Sequence, residues 1–408
     1  MRVILLAALA ATVFVVSGCE TKAKVDMDMK MKDLANGITS GLTGSIAALS
    51  SLVYGSAPAE PARAPGFTLA ASMSLPRGLH TATLMGDKRV LVVGGVDATR
   101  SGPSYIGQAE VYDPFANAFT RVGSTSIERV FHAAVALSDG RVLVCGGFGR
   151  EAGATAETDL ASAYVFDPAR GDFEAVGPLS APRRGHRAVR LPSGQVLVVG
   201  GNVAVAELFD PASGTFSKAG SLPAAREWAN VALVSGSVLV IGGQPGMDLY
   251  VPASRAFVAG ASPSSVRGGA TLDAVGADEA VLAGGRKSAT EEILEVERFK
   301  DGQWYAAGTL SAPRAMHGSA TSGPDLLLAG GVTQGAAPNT LKTLATADFL
   351  PATGSAQPFT MAHSRNGCTV TTLASGRFLV AGGFEDGTTD LRGLDGTSVA
   401  WAEVFTKP

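Results

Sequence analysis

The sequence predicts an all-β fold, a ring of repeated four-stranded antiparallel sheets, and three observations carry that prediction. A hydrophobic run ending in a glycine pair recurs seven times: VLVVGG (to Gly95), VLVCGG (Gly147), VLVVGG (Gly201), VLVIGG (Gly243), AVLAGG (Gly285), LLLAGG (Gly331) and FLVAGG (Gly383). The steps between those last glycines are 52, 54, 42, 42, 46 and 52 residues, and periods of that size belong to repeat architectures. In six units an arginine follows an aromatic by ten residues: Phe67–Arg77, Phe119–Arg129, Phe173–Arg183, Phe216–Arg226, Phe257–Arg267 and Trp304–Arg314. The seventh, Arg365, departs from this, its nearest upstream aromatic being Phe359. Finally, the 51 glycines and 21 prolines suit short strands joined by tight turns.

Each unit divides into four strands. Strand a starts at the arginine, and a turn such as Ser138-Asp139-Gly140 or Pro192-Ser193-Gly194 leads into strand b, which ends at the glycine pair. Strand c ends at an aromatic: Tyr112, Phe166, Phe209, Tyr250, Phe299, Phe349 or Phe405. Three of these run into Asp-Pro, a turn opener with proline's fixed φ. Strand d begins at the next aromatic. Four antiparallel strands per repeat describe a blade of a β-propeller, and seven repeats predict a seven-bladed one. The glycine pairs sit at the end of strand b, where close backbone approach calls for glycine.

The chain ends at Pro408, just after strand c of the seventh unit. The segment Phe67-Thr68-Leu69 before the first unit has the spacing of a strand d. The N-terminal strand is therefore expected to complete the last blade, hiding a sheet edge that would otherwise be exposed.

Glycine pairs in register with arginines and aromatics resemble the kelch repeat, whose diglycine closes strand b, and the resemblance covers residues 66–408. It implies a kelch-type β-propeller. The competing WD repeat lacks its Trp-Asp signature, since no tryptophan here precedes an aspartate.

The N-terminus sets the expected address. Met1-Arg2 opens an apolar stretch from Val3 to Val16, followed by Ser17-Gly18-Cys19, the form of a removable secretory signal. Its end looks like a bacterial lipobox, so residues 1–18 are expected to be a lipoprotein signal peptide and Cys19 the lipidated residue. Acyl chains there would hold the protein on a membrane without spanning it. The expected location is the bacterial envelope, as an outer-membrane or periplasmic protein. Residues 19–65 form the tether: Leu34, Ile38, Leu42, Ile46, Leu49 and Val53 keep helical spacing, while Gly37, Gly41 and Gly44 oppose a helix. Cys145 and Cys368 fall in separate blades and are expected as free buried thiols.

A formal net charge of −3 leaves no basic footprint for nucleic acid. No metal-ligand spacing or phosphate loop is present, and no cofactor is expected. His80, His132, His186 and His317 lie on separate blades, where an inter-blade hydrogen bond explains them. The d–a and b–c connections emerge at one end of the ring, so Arg77, Arg129, Arg183, Arg226, Arg267, Arg314 and Arg365 crowd that face. Two roles are open to them: forked hydrogen bonds to an acidic ligand, or bonds that serve every blade alike. The b–c loops on this face are long after Gly95, Gly147, Gly331 and Gly383 and short after Gly201 and Gly243, an uneven rim of the kind that carries binding. Blade four stands out because Glu227, Trp228 and Asn230 follow Arg226, whereas Arg184 and Arg187 in blade three read as solvated charge.

These readings lead to an expected non-catalytic binding or scaffold module with a protein or glycan partner, its binding residues the seven arginines with Glu227 and Trp228. The alternative is a carbohydrate-active enzyme resembling kelch-type sialic acid mutarotases, which use arginine and glutamate at a channel mouth. Galactose-oxidase-like copper enzymes share the propeller, but the sequence lacks an adjacent Tyr-His pair.

Overall fold

The computed structural model describes residues 64–99, 104–123, 128–151, 153–337, 340–373, 376–386 and 396–408. Contacts divide the chain into two units, Met1–Arg63 and Ala64–Pro408. The expected signal peptide, Cys19 and nearly all of the tether lie outside the described residues.

Among the described residues the second unit is all-β, with seven four-stranded antiparallel sheets. Sheets 1 to 6 span residues 81–122, 133–176, 186–221, 230–260, 271–309 and 318–360, each a meander that runs through its strands in chain order. Sheet 7 contains Thr369–Thr372, Arg377–Ala381 and Ala402–Thr406, and its fourth strand is Gly66–Leu69 from the other end of the unit. That pairing runs from Gly66 opposite Thr406 to Leu69 opposite Glu403. The first strands of successive sheets touch one another in order, and sheet 7's touches that of sheet 1. Such an arrangement is that of a β-propeller.

Apolar runs explain the packing. The second strands, such as Val90–Val93 and Val142–Cys145, are buried along their whole length, because both of their faces meet a neighbouring sheet. Cores therefore lie between sheets: Leu91, Val93 and Val111 of sheet 1 pack on Val142, Val144 and Phe166 of sheet 2. The recurrent aromatics meet across the turn between third and fourth strands. Tyr112–Phe119, Phe166–Phe173, Phe209–Phe216, Tyr250–Phe257 and Phe299–Trp304 have ring centroids 4.8, 4.9, 4.9, 5.1 and 5.2 Å apart. Phe67 and Phe405 form the same contact at 4.9 Å in sheet 7. Phe359, the aromatic out of spacing, packs instead on Phe405, also at 4.9 Å.

The four long loops fold into short ladders of their own. Val96–Asp97 pairs with Ser104–Tyr105, Phe148–Gly149 with Thr158–Asp159, Val332–Gln334 with Leu341–Thr343, and Phe384–Glu385 with Thr397–Ser398. They belong to sheets 1, 2, 6 and 7, which are neighbours, so this end is high on one side and low over sheets 3 and 4.

Deleting the Phe67 ring should loosen the junction between the two ends of the unit. Phe67→Ala is expected to cost about 2 kcal/mol, since half-buried aromatics lose less than the 3–5 kcal/mol of a full core truncation. Thermal or denaturant unfolding checks this.

Candidate functional site

All seven arginines point inward. Each is buried, with five of them at 0 or 1% exposure. Six pair with a carboxylate on the third strand of their own sheet: Arg77–Glu110 (2.7 Å), Arg183–Glu207 (2.7 Å), Arg226–Asp248 (2.6 Å), Arg267–Glu297, Arg314–Asp348 (2.8 Å) and Arg365–Glu403 (2.6 Å). Arg129 lies over the ring of Tyr164 instead, 5.2 Å from its centroid, and donates to Ser162. The other arm of the fork donates to backbone carbonyls, such as Gly94 and Gln108 for Arg77 or Gly330 and Thr346 for Arg314. The acid's second oxygen accepts the amide three residues before the arginine, at Ser74, Ser180, Ser264, Ser311 and Ala362. Burial pulls the guanidinium pKa of Arg77, Arg183, Arg267 and Arg314 down, and the paired acid opposes it. These forks are thus occupied by their own sheets.

The acid partners were missed in the sequence, although a signal existed. An acid stands two residues before the strand-c aromatic in Glu110-Val111-Tyr112, Glu207-Leu208-Phe209, Asp248-Leu249-Tyr250, Glu297-Arg298-Phe299 and Glu403-Val404-Phe405.

Three kinds of bond tie sheets to their neighbours at five of the seven seams. The second glycine's N–H donates to the next arginine's carbonyl: Gly95 to Arg129, Gly147 to Arg183, Gly285 to Arg314, Gly331 to Arg365 and Gly383 to Arg77. Adding a Cβ at Gly94 would drive it into the Arg129 carbonyl oxygen, so this close approach is why the pair is glycine. Histidine rings form the second tie, His132 with Thr81 (2.8 Å), His317 with Thr271 (3.1 Å), His80 with Thr369 (3.0 Å) and His186 with the Cys145 thiol (3.8 Å). The third joins residues two after the arginines: Leu79 donates to Gly367, Gly185 to Phe131, Met316 to Gly269 and Gly367 to Met316. Cys145 and Cys368 are free and buried.

Among the described residues, the seams between sheets 3 and 4 and between sheets 4 and 5 have none of these ties. The cause is local. Ala229 and Ala270 replace the histidines; within sheet 4, Pro223 has no amide to offer Asp248, which accepts from Arg226 Nε. Between sheets 4 and 5 the Ser235 amide donates to the Ala277 carbonyl at 2.6 Å, and the Asn230 side chain donates to the Ala270 carbonyl at 3.2 Å. Beside that bond lies a pocket of about 320 Å³, lined in part by Asn230, Gln244, Pro245, Ser262, Ser264 and Arg267. Trp228 lies over the other seam. Its ring packs edge-on against Phe131 at 4.9 Å, and a Cβ at Gly185 would run into the indole. The indole is nevertheless 45% exposed, and its backbone holds φ 54°, a left-handed conformation costing about 1 kcal/mol. Glu227 is exposed next to it. Of the predicted binding residues, then, Glu227 and Trp228 alone present side chains to solvent.

Two charged side chains extend from first strands toward the ring's centre. Arg187 is exposed to solvent, and desolvation by its surroundings lowers its guanidinium pKa against the pull of Asp273. Asp273 has its pKa pushed up to about 6 by burial, against the pull of Ser319, Thr271 and Arg187.

No family model matches the chain, and no curated protein does. Among solved structures 1251 chains match. One is a novel fungal alcohol oxidase of the AA5 family in complex with copper, 16% identical, covering 85% of this chain and 77% of that chain with a TM-score of 0.65. At that identity the likeness speaks to the fold alone, a β-propeller. It also corrects the expectation of a non-catalytic scaffold: the solved neighbour is an enzyme, and the enzyme alternative is carried forward. Copper does not follow. Among the described residues no three His, Cys, Asp or Glu side chains converge, and His80, His132, His186 and His317 are each committed to a separate seam.

Glu207→Ala is expected to cost roughly 3–5 kcal/mol, because it strands the buried Arg183 charge, as measured by denaturant unfolding. Burial also lowers the pKa of His80, His186 and His317 to about 3. Each is neutral when folded, so its stability is present above its unfolded pKa and is lost as pH falls from about 6.5 toward 3. The melting temperature should drop across that window, and less steeply in His317→Gln.

Proposed function

We propose that this protein is an enzyme acting on carbohydrates at the bacterial envelope, resembling the kelch-type sialic acid mutarotases, with its site beside sheet 4. In this reading the seven sheets are the blades of one seven-bladed kelch-type propeller, and Gly66–Leu69 closes the ring. Residues 1–18 are a signal peptide, Cys19 carries the lipid anchor and residues 19–65 tether the ring. Its partner is a glycan or a sugar released from one.

The observation that carries this proposal is the exposed Trp228 over one seam of sheet 4, with a polar pocket at the other seam of the same sheet. An indole offers a flat apolar face to a pyranose ring together with a polar edge. Asn230, Gln244, Ser262 and Ser264 supply neutral donors and acceptors at the size of a small-ligand site. Anomer exchange needs a proton removed from the anomeric hydroxyl as the ring C–O bond breaks and a proton delivered to the ring oxygen. Glu227 is the carboxylate placed to take that proton. Arg226 contributes by fixing the strand that presents Glu227 and Trp228, since its fork is held by Asp248 and the carbonyls of Gly242 and Gln244.

Exchange between sugar anomers, followed by NMR for acidic and neutral sugars, tests the proposal. The protein should accelerate exchange for at least one sugar, with kcat/KM falling roughly 10- to 100-fold in Trp228→Ala, a loss of about 1–3 kcal/mol of transition-state binding. Glu227→Gln should lower kcat with KM little changed. Exchange at the buffer rate for every sugar overturns it.

A further inference from the structure

In sheets 1, 5 and 7 the residue four after the arginine serves a seam. Thr81, Thr271 and Thr369 stand there and meet the next sheet's histidine. In sheet 3 this position is Arg187, and the residue facing it across the seam is Ala229, fully buried and without a polar side chain. A hydroxyl–imidazole bond has thus been exchanged for a long cation with no acceptor opposite. Among the described residues no hydrogen bond or ion pair of the Arg187 guanidinium is formed. On sheet 5, Asp273 accepts from the Ser319 hydroxyl at 3.0 Å, while its other oxygen, Oδ2, is buried without a partner. Arg187 and Asp273 act on each other electrostatically across the channel.

We propose that Arg187 and Asp273 form a carboxylate-binding site inside the channel that takes up a proton together with its ligand. A guanidinium presents two parallel donors that match a carboxylate. An ionised Asp273 would repel the incoming anion, whereas the protonated acid donates a hydrogen bond to it through the oxygen now unpartnered. Binding and protonation therefore favour one another.

The surroundings permit this coupling. Packed against the Asp273 strand, Asn230–Val234 and Gly318–Ser322 carry no ionisable side chain. On the second strand of its own sheet, Glu279 is engaged by Arg298 and Lys300. His186, beside Arg187, and His317, which faces Thr271, are held neutral by burial. Arg190, at the end of Arg187's strand, is the remaining cation there. The titration of Asp273, raised to about 6, consequently falls in the range where the site would switch. This site is separate from the rim around Trp228 and does not depend on the carbohydrate reading.

Calorimetric titration of the full chain with glucuronate, which stays ionised throughout, tests the proposal at about pH 5 and about pH 8. Binding should be roughly tenfold or more tighter at the lower pH, because one proton is linked to it. Asp273→Asn should bind equally at both. Arg187→Gln should lose about tenfold or more at the lower pH, and Arg187→Lys should keep the pH dependence with weaker binding. Thermal unfolding of each variant confirms that it is folded. Equal wild-type affinity at the two pH values, or affinity unmoved by Arg187→Gln, overturns the site. So does binding that is lost only in Trp228→Ala, which would place the ligand at the rim.

Discussion

The structure depends on one repeated interaction, a buried guanidinium held between a carboxylate on the third strand and carbonyls at the end of the second. A cation taken out of water is costly unless it is paired and fully hydrogen-bonded. Six of the arginines meet that demand by drawing three parts of their own sheet to one point: the entry to the first strand, the glycine pair and the third strand. Arg183 bonds the third strand alone. The carboxylate extends the link by accepting an amide from the connection that leads in from the previous sheet. One ion pair therefore sets where a sheet starts, how its middle strands are aligned and how the chain enters it. Sheet 2 shows how far the arrangement bends, since Tyr164 and Ser162 stand in for the acid.

Those locks leave seams between sheets to be tied separately, and the ties are uneven. Five seams carry glycine-to-arginine amide bonds, with histidine or backbone bonds added. Sheet 4 is held to its neighbours mainly by apolar contacts, such as Ala229, Val238 and Val240 within the cluster that also includes Leu197 and Val199. The departures cluster in the same place: an exposed indole, a polar pocket, and the two charges on first strands on either side of sheet 4. Broken local rules are where function is expected, whereas the regular seams elsewhere serve stability.

Much of this was legible in the residues alone. Hydrophobic runs, glycine pairs and aromatic spacing specify the four-stranded sheets, because each reports a local demand: burial on two faces, close backbone approach, and a ring pair across a turn. The histidines were read correctly as inter-sheet bonds for the same reason. The role of the arginines was left open, since their partners are distant in sequence and sheet 2 interrupts the acidic pattern. Arg187 read as solvated charge beside Arg183 and Arg184, and Asp273 attracted no notice. Their setting is created by ring geometry, which places strands of sheets 3 and 5 around one axis although 86 residues separate the two side chains in the chain.

The pairing of Gly66–Leu69 with Ala402–Thr406 also orders events in time. Among the described strands, Gly66–Leu69 is made first and its partner Ala402–Thr406 last. Sheets 1 to 6 have their strands in chain order and can form as the chain emerges, whereas sheet 7 stays incomplete until Ala402–Thr406 is made. For that whole interval Gly66–Leu69 is an unmatched edge, able to pair with the wrong neighbour. Joining the ends of a long chain is slow compared with forming hairpins, so this single ladder is the natural last step in folding. Sheet 7 thus couples the two ends of the described unit into one folding event.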